Sequence, residues 1–132
     1  EIFATCAEHD LASICNSPLA MGLLSGKFDN TSRLPNDDVR GSGHSWVAYF
    51  ADGQPRPEFL DKLTAVREIL TSDGRTLVQG ALAWLWARSP QAVPIPGFKT
   101  VQQVEENARA MQHGPLTAEQ VREIEELLAQ PA

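Results

Sequence analysis

Thiols are scarce in this chain. Cys6 and Cys15 are the two cysteines among 132 residues, and their spacing fits no metal-binding motif. Cys15 lies in an apolar run of the kind that buries a free thiol, and the pair suits a reducing cytoplasm. Positive charge is also in short supply. Lys and Arg number 11 against 17 Asp and Glu, a formal charge of −6. That balance argues against nucleic acid or an anionic membrane as the main partner. It leaves room for a small anion held by a few local donors. No apolar run approaches the roughly 20 residues that a membrane span needs. The opening EIFATCAEHD has neither the basic region nor the apolar stretch of a signal peptide. A cytoplasmic protein with no membrane and no nucleic-acid partner is expected. No segment matches GxGxxG or the phosphate-binding P-loop. Tyrosine is limited to Tyr49, and His9, His44 and His113 are scattered in a way that suits surface or loop positions.

What is present is a globular composition, 42% apolar and 21% charged, long enough for one domain and one core. Residues 1–9 read as the tail of a helix. Leu11 to Cys15 is a short apolar run closed by Asn16-Ser17-Pro18, which predicts a buried strand. Leu19 to Leu24 fits one helical turn. From Ser25 to Pro57 the chain reads as loop, with four Gly and three Pro. Loops of that length in a compact domain are usually functional or mobile. Four helices follow. The first, over 59–72, aligns Phe59, Leu63, Val66 and Leu70 on one stripe. The second opens at Thr76 with Gln79 three residues on, the capping-box spacing, and runs to Ser89-Pro90. After a second short apolar run, Ala92 to Ile95, the third starts near Thr100 with a stripe of Val101, Val104, Ala108 and Met111. The fourth, over 117–130, pairs Thr117 with Gln120 and buries Val121, Ile124, Leu127 and Leu128.

Two strands separated by helical crossovers predict a parallel βαβ arrangement. Two short parallel strands are poorly stable alone, since such strands are buried on both faces and need neighbours. The expected fold class is therefore α/β, predominantly helical, and part of a larger sheet or barrel.

Ligands of parallel α/β folds bind beyond the C-terminal strand ends. Two segments fall there, Asn16 to Lys27 and Pro96 to Asn107. Gly97 permits close backbone approach. The free amides at the start of the third helix favour an anion, and Lys99 beside them adds a charge. Gln103, Glu106 and Asn107 share one helical face, where donors and an acceptor suit the edge of an adenine. In the other segment Ser17, the backbone near Leu19 and Met21, and Lys27 suit a pyrophosphate. Plainer readings stand beside these. Gln103 also fits as the capping partner of Thr100. Glu106 and Asn107 fit a solvated face, Lys27 and Lys99 ordinary surface lysines, and Gly22 and Gly26 loop punctuation.

Taken in order, SPLAMGLLSGKF, DDVRG, TLVQGALAWLWARSPQAVPIPGFKTVQQVEENARA and LTAEQVREIEEL resemble the C-terminal portion of an aldo-keto reductase, from Glu1 to about Leu128. The most specific pieces are SPLAMGLLSGK and IPGFKTVQQVEEN. The resemblance implies a (β/α)8 TIM barrel that uses NADPH to reduce aldehydes or ketones, with this chain as its cofactor-binding end. Leu11–Cys15 and Ala92–Ile95 would be the seventh and eighth strands. Helices 59–72 and 117–130 would be the family's two extra helices. Ser17, Leu19, Met21 and Lys27 would line the pyrophosphate. Gly97, Lys99 and Gln103 would meet the 2′-phosphate end, and Glu106 and Asn107 would hold adenine. Asn16 departs from the pattern. Many members carry an aromatic there that stacks on nicotinamide, whereas Asn16 offers only hydrogen bonds.

The family's catalytic Asp, Tyr, Lys and His belong to earlier strands, and Tyr49 matches none of these positions. No catalytic residue is therefore expected in this chain. A full barrel needs about 250 residues. The expectation is a small carbonyl substrate, together with a missing N-terminal barrel portion, a companion chain or a rearranged, mostly helical fold. A non-catalytic nucleotide-binding or partner-docking module is the other reading. Trp46, Val47, Tyr49 and Phe50 serve either to wall a pocket or to pack the long loop.

Overall fold

Two strands almost eighty residues apart lie side by side in the computed structural model, which describes residues 2–129. The chain begins with helix α1 (Ile2–Glu8), strand β1 (Ser13–Cys15) and a 3-10 turn (Ala20–Ser25). A small hairpin of β2 (Phe50–Ala51) and β3 (Gln54–Pro55) comes next, then α2 (Pro57–Leu70), α3 (Leu77–Arg88), β4 (Ala92–Pro94), α4 (Val101–His113) and α5 (Ala118–Ala129). Strands β1 and β4 are parallel, pairing Ser13 with Ala92, Ile14 with Val93 and Cys15 with Pro94. The predicted parallel unit is thus present and not rearranged, and no closed barrel forms among the described residues. Gln130, the last residue of the expected fourth helix, and Glu1 lie outside the described residues.

Helix α3 is the central element. Its capping box is complete: Gln79 N–H donates to Thr76 Oγ1 at 3.3 Å and Thr76 N–H to Gln79 Oε1 at 2.9 Å. Every residue from Leu77 to Ala83 is buried, as expected of a helix covered on several sides. One side meets α2 and α5 in a cluster built on Leu63, Val66, Leu70, Leu77, Ala83 and Ile124. Another side puts Val78 and Leu82 against Ala110 of α4. Helix α5 is also tied by polar contacts, with Gln120 completing a second capping box at Thr117 and its Nε2 donating to Ser72 Oγ at 2.8 Å.

Four readings of the sequence need correction. The strands are shorter than Leu11–Cys15 and Ala92–Ile95, and they are not buried on both faces. Ala92 is buried, but the register partners Ile14 and Val93 are 70% and 46% exposed, because helices cover only one face of the pair. Cys15 is correspondingly half-buried. The segment from Ser25 to Pro57 is not all loop. It contains the β2–β3 hairpin, and its Val47 and Phe50 form a buried cluster with Ala20 and Leu23, with Phe28 edge-on to Phe50 at 5.2 Å between ring centroids. The stripe Val101, Val104, Ala108 and Met111 of α4 faces outward, with Val101 and Met111 each 75% exposed. Helix α4 instead docks through Ala110, a side chain small enough to sit against α3, and no described element covers the opposite stripe. Leu128 is 39% exposed, whereas Val121, Ile124 and Leu127 do pack into the core. Among the described residues no helix is long and apolar enough to cross a membrane.

Gly80 permits a close approach of α3 to the end of α2. A Cβ there would collide with the backbone carbonyl of Leu70, which cannot swing aside as a side chain can. Gly80→Ala should therefore force α2 and α3 apart and lower the unfolding free energy by about 1–3 kcal/mol. Gly97→Ala, whose Cβ would meet no protein atom within 4 Å, should leave it almost unchanged. Urea denaturation checks both, and equal stability of the two variants would contradict the packing described.

Candidate functional site

The parallel register places the residues that follow β1 beside those that follow β4. Between them opens a cleft of about 840 Å³. Ser17, Leu19, Met21 and Lys27 line it from the first segment, and Gly97, Lys99, Gln103, Glu106 and Asn107 from the second. Nine of the ten residues expected at a site thus share one cavity. Asn16 does not. It is exposed and lines a separate apolar cavity of about 340 Å³, bounded by Cys15, Trp84, Val66 and Ile124.

The first wall is an irregular backbone. Ser17, Ala20 and Met21 hold φ of 49°, 49° and 57°, and Gly22 holds 93°. Left-handed conformations of non-glycine residues cost about 1 kcal/mol or more each and cluster where a chain is shaped for a task. Buried Leu23 anchors the turn, and the Ser25 hydroxyl donates to Gly22 O at 2.6 Å. Arg40 clamps it from the long segment. Its Nη1 donates to Met21 O at 3.1 Å, while Nε and Nη2 fork onto the Asp38 carboxylate at 2.8 and 2.6 Å. The guanidinium also lies over Phe28 and Phe50, 5.2 and 5.8 Å from their centroids.

The second wall is the start of α4. Thr100 caps the helix by accepting from Gln103 N–H at 3.2 Å. The reciprocal bond differs from those at Thr76 and Thr117. Gln103 Oε1 accepts from Lys99 N–H at 2.7 Å instead of from the capping residue. Gln103 therefore serves the backbone with its oxygen, and its Nε2 has no hydrogen-bond partner among the described residues. Asn107 Nδ2 is shielded from solvent and likewise has none. Packing gives no reason for glycine at 97, where a side chain would meet open space.

Three cations border this cleft, Lys27, Arg40 and Lys99, on a chain whose net charge is −6. Partial burial, then the nearby Arg40 and Lys99, push the Lys27 ammonium below its ordinary pKa, with Asp38 opposing. Hydrogen bonds from Arg40 hold the Asp38 carboxyl well below the usual carboxylate range. The folded value being depressed, the clamp's contribution is complete above the unfolded carboxylate pKa and is lost as pH falls through the folded one. Repulsion among cations in a cleft is relieved when an anion enters.

Arg40 was not picked out as a site residue from the sequence, although DDVRG drew notice. Nothing local marks it, since its position depends on how the eighteen intervening residues fold back over Met21.

Comparison with known proteins bears on what such a cleft holds. The sequence model of the aldo/keto reductase family matches residues 1–129. An aldo-keto reductase of Schizosaccharomyces pombe named for NADP(+), yakc, is 30% identical over 113 residues, which are 83% of this chain and 31% of the relative. The chloroplastic pyridoxal reductase of Arabidopsis thaliana is 34% identical, over 84% of this chain and 27% of its own length. The holo form of aldo-keto reductase AKR11C1 from Bacillus halodurans superposes with a TM-score of 0.55 at 28% identity, covering 95% of this chain and 36% of that one. The chain thus spans about a third of the length of the relatives it matches.

Removing the Arg40 charge should raise the Lys27 pKa, and so should adding inorganic phosphate. Side-chain NMR of Lys27 in Arg40→Ala and in phosphate titrations of the unaltered chain reads both shifts. An unchanged Lys27 titration in either experiment would contradict the cationic cleft.

Proposed function

Because the chain belongs to the aldo/keto reductase family, we propose that it forms the cofactor-binding end of an NADPH-dependent oxidoreductase that reduces aldehydes or ketones to alcohols. One observation carries the reading. Two segments about eighty residues apart in sequence converge on a single cleft bordered by three cations and containing a shielded, unpartnered amide, Asn107 Nδ2.

These residues fit a dinucleotide. Ser17, Leu19, Met21 and Lys27 would hold the pyrophosphate, and Arg40 would add charge while keeping the Met21 turn in shape. Gly97, Lys99 and the free Gln103 amide would meet the 2′-phosphate. Asn107 Nδ2 would donate to a ring nitrogen of adenine, and the Glu106 carboxylate would accept from its exocyclic amine. Asn16 lies outside the cleft and would contribute no stacking surface at the nicotinamide end. When bound, the nicotinamide supplies hydride to the carbonyl carbon.

The proton for the carbonyl oxygen would come from elsewhere. Tyr49 is half-buried, edge-on to Phe59 at 5.2 Å, and does not line the cleft. The catalytic group would lie on a preceding barrel portion, in the same polypeptide or in a companion chain. The exposed sheet face at Ile14, Val93 and Ile95 and the outward stripe of α4 support that reading, since both present apolar surface of the kind a completed barrel would cover.

NADPH fluorescence titration tests the assignment. Lys99→Ala should weaken NADPH about tenfold, the scale of one charge-assisted hydrogen bond, and leave NADH within about twofold. Equal losses for the two cofactors would remove Lys99 from the 2′-phosphate, and no binding of either by the unaltered chain would overturn the proposal.

A further inference from the structure

Helix α4 lies along α3, yet few of its side chains are buried there. Of its thirteen residues only Ala110 is fully buried, and Val101, Val104 and Met111 all point to solvent. The apolar contact that seats it is small: Ala110 against Val78 and Leu82, with Leu19 and Trp86 at the margin. Such a contact limits how far α4 can move from α3 but says little about its rotation. Turning the helix by one residue swings every side chain by about 100°. Glu106 and Asn107, which line the cleft, would then leave it.

One side chain adds a directional constraint. Gln79 of α3 is 5% exposed, and both ends of its amide are engaged. Its Oε1 accepts from Thr76 N–H at 2.9 Å, completing the cap of its own helix. Its Nε2 donates at 3.1 Å to the backbone carbonyl of Glu106, twenty-seven residues away. Glu106 and Asn107 lie four and three residues before Ala110, on the docking face. The bond therefore acts at the point where the buried face of α4 becomes the wall of the cleft.

We propose that Gln79 is a positioning residue: through its amide it fixes the rotation of α4 and so aims Glu106 and Asn107 into the cleft. The proposal rests on the dinucleotide reading only in its choice of probe. It also explains why glutamine suits this position better than glutamate, the other common capping-box residue. A glutamate would keep the oxygen that caps Thr76. It would face the Glu106 carbonyl with a second acceptor where a donor is needed.

Gln79→Glu thus separates the two roles. Binding of adenosine 2′,5′-bisphosphate and of inorganic pyrophosphate to the full chain is measured by calorimetry, alongside the melting temperature. The expected result for Gln79→Glu is at least a tenfold loss for the adenosine probe and less than a twofold change for pyrophosphate held by the Ser17–Lys27 wall, with a lower melting temperature because a carboxylate is buried against a carbonyl. Gln79→Met, which loses both bonds without burying a charge, should show the same selective loss. Equal weakening of both probes would reduce Gln79 to a stabilising core residue, and unchanged binding of the adenosine probe by Gln79→Glu would refute the positioning role. Failure of the unaltered chain to bind the adenosine probe would instead count against the dinucleotide reading. In that case the rotation of α4 remains testable by NMR: Gln79→Glu should move the amide signals of residues 103–110, and their constancy would again refute the role.

Discussion

Ser13 N–H donates to Gln91 O at 2.9 Å and Ile95 N–H to Cys15 O at 3.1 Å, bracketing a parallel pair only three residues long on each strand. Everything at the cleft depends on this pairing. It sets the residues after Cys15 beside the residues after Pro94, and without it the two walls would be separate surface loops. The strands are too short to hold the register alone. Helix α3, lying between them in sequence and buried along its first seven residues, fixes where β4 can reach and gives α4 its seat.

Much of the architecture was legible because it is locally encoded. The capping boxes at Thr76 and Thr117 appear as a threonine followed three residues later by glutamine, and both form. The stripe of α2 and the core residues of α5 follow helical spacing because each helix has a single buried face. The two walls of the cleft were legible for another reason, since both follow strand ends and parallel strands collect their C-terminal ends on one side.

What escaped the sequence depends on distance. The apolar stripe of α4 reads as core, yet its partner is not among the described elements, so the helix packs through Ala110 instead. Periodicity reveals that a face is apolar but not whether anything is there to cover it. The hairpin at Phe50–Pro55 was hidden because Asp52-Gly53 links strands of only two residues each, too short for alternation to register. Arg40 went unassigned because its contacts with Met21 and Phe50 arise from the folded path of the long segment. Gln103 keeps both of its readings open: its oxygen serves the helix start, and its nitrogen has no hydrogen-bond partner among the described residues.

The charge pattern fits the same picture. The protein is acidic overall, yet Lys27, Arg40 and Lys99 gather at one opening, where burial and then the two neighbouring cations lower the Lys27 pKa. Mutual repulsion there is unfavourable without an anion, and the strained turn from Ser17 to Gly22 adds to the cost of shaping the site. The central claim is that two distant segments form one binding surface. Amide NMR of the labelled chain during addition of NADPH tests it most directly. Signals from residues 17–27 and 97–107 should shift together and follow one dissociation constant; movement of a single segment, or of neither, would contradict the account.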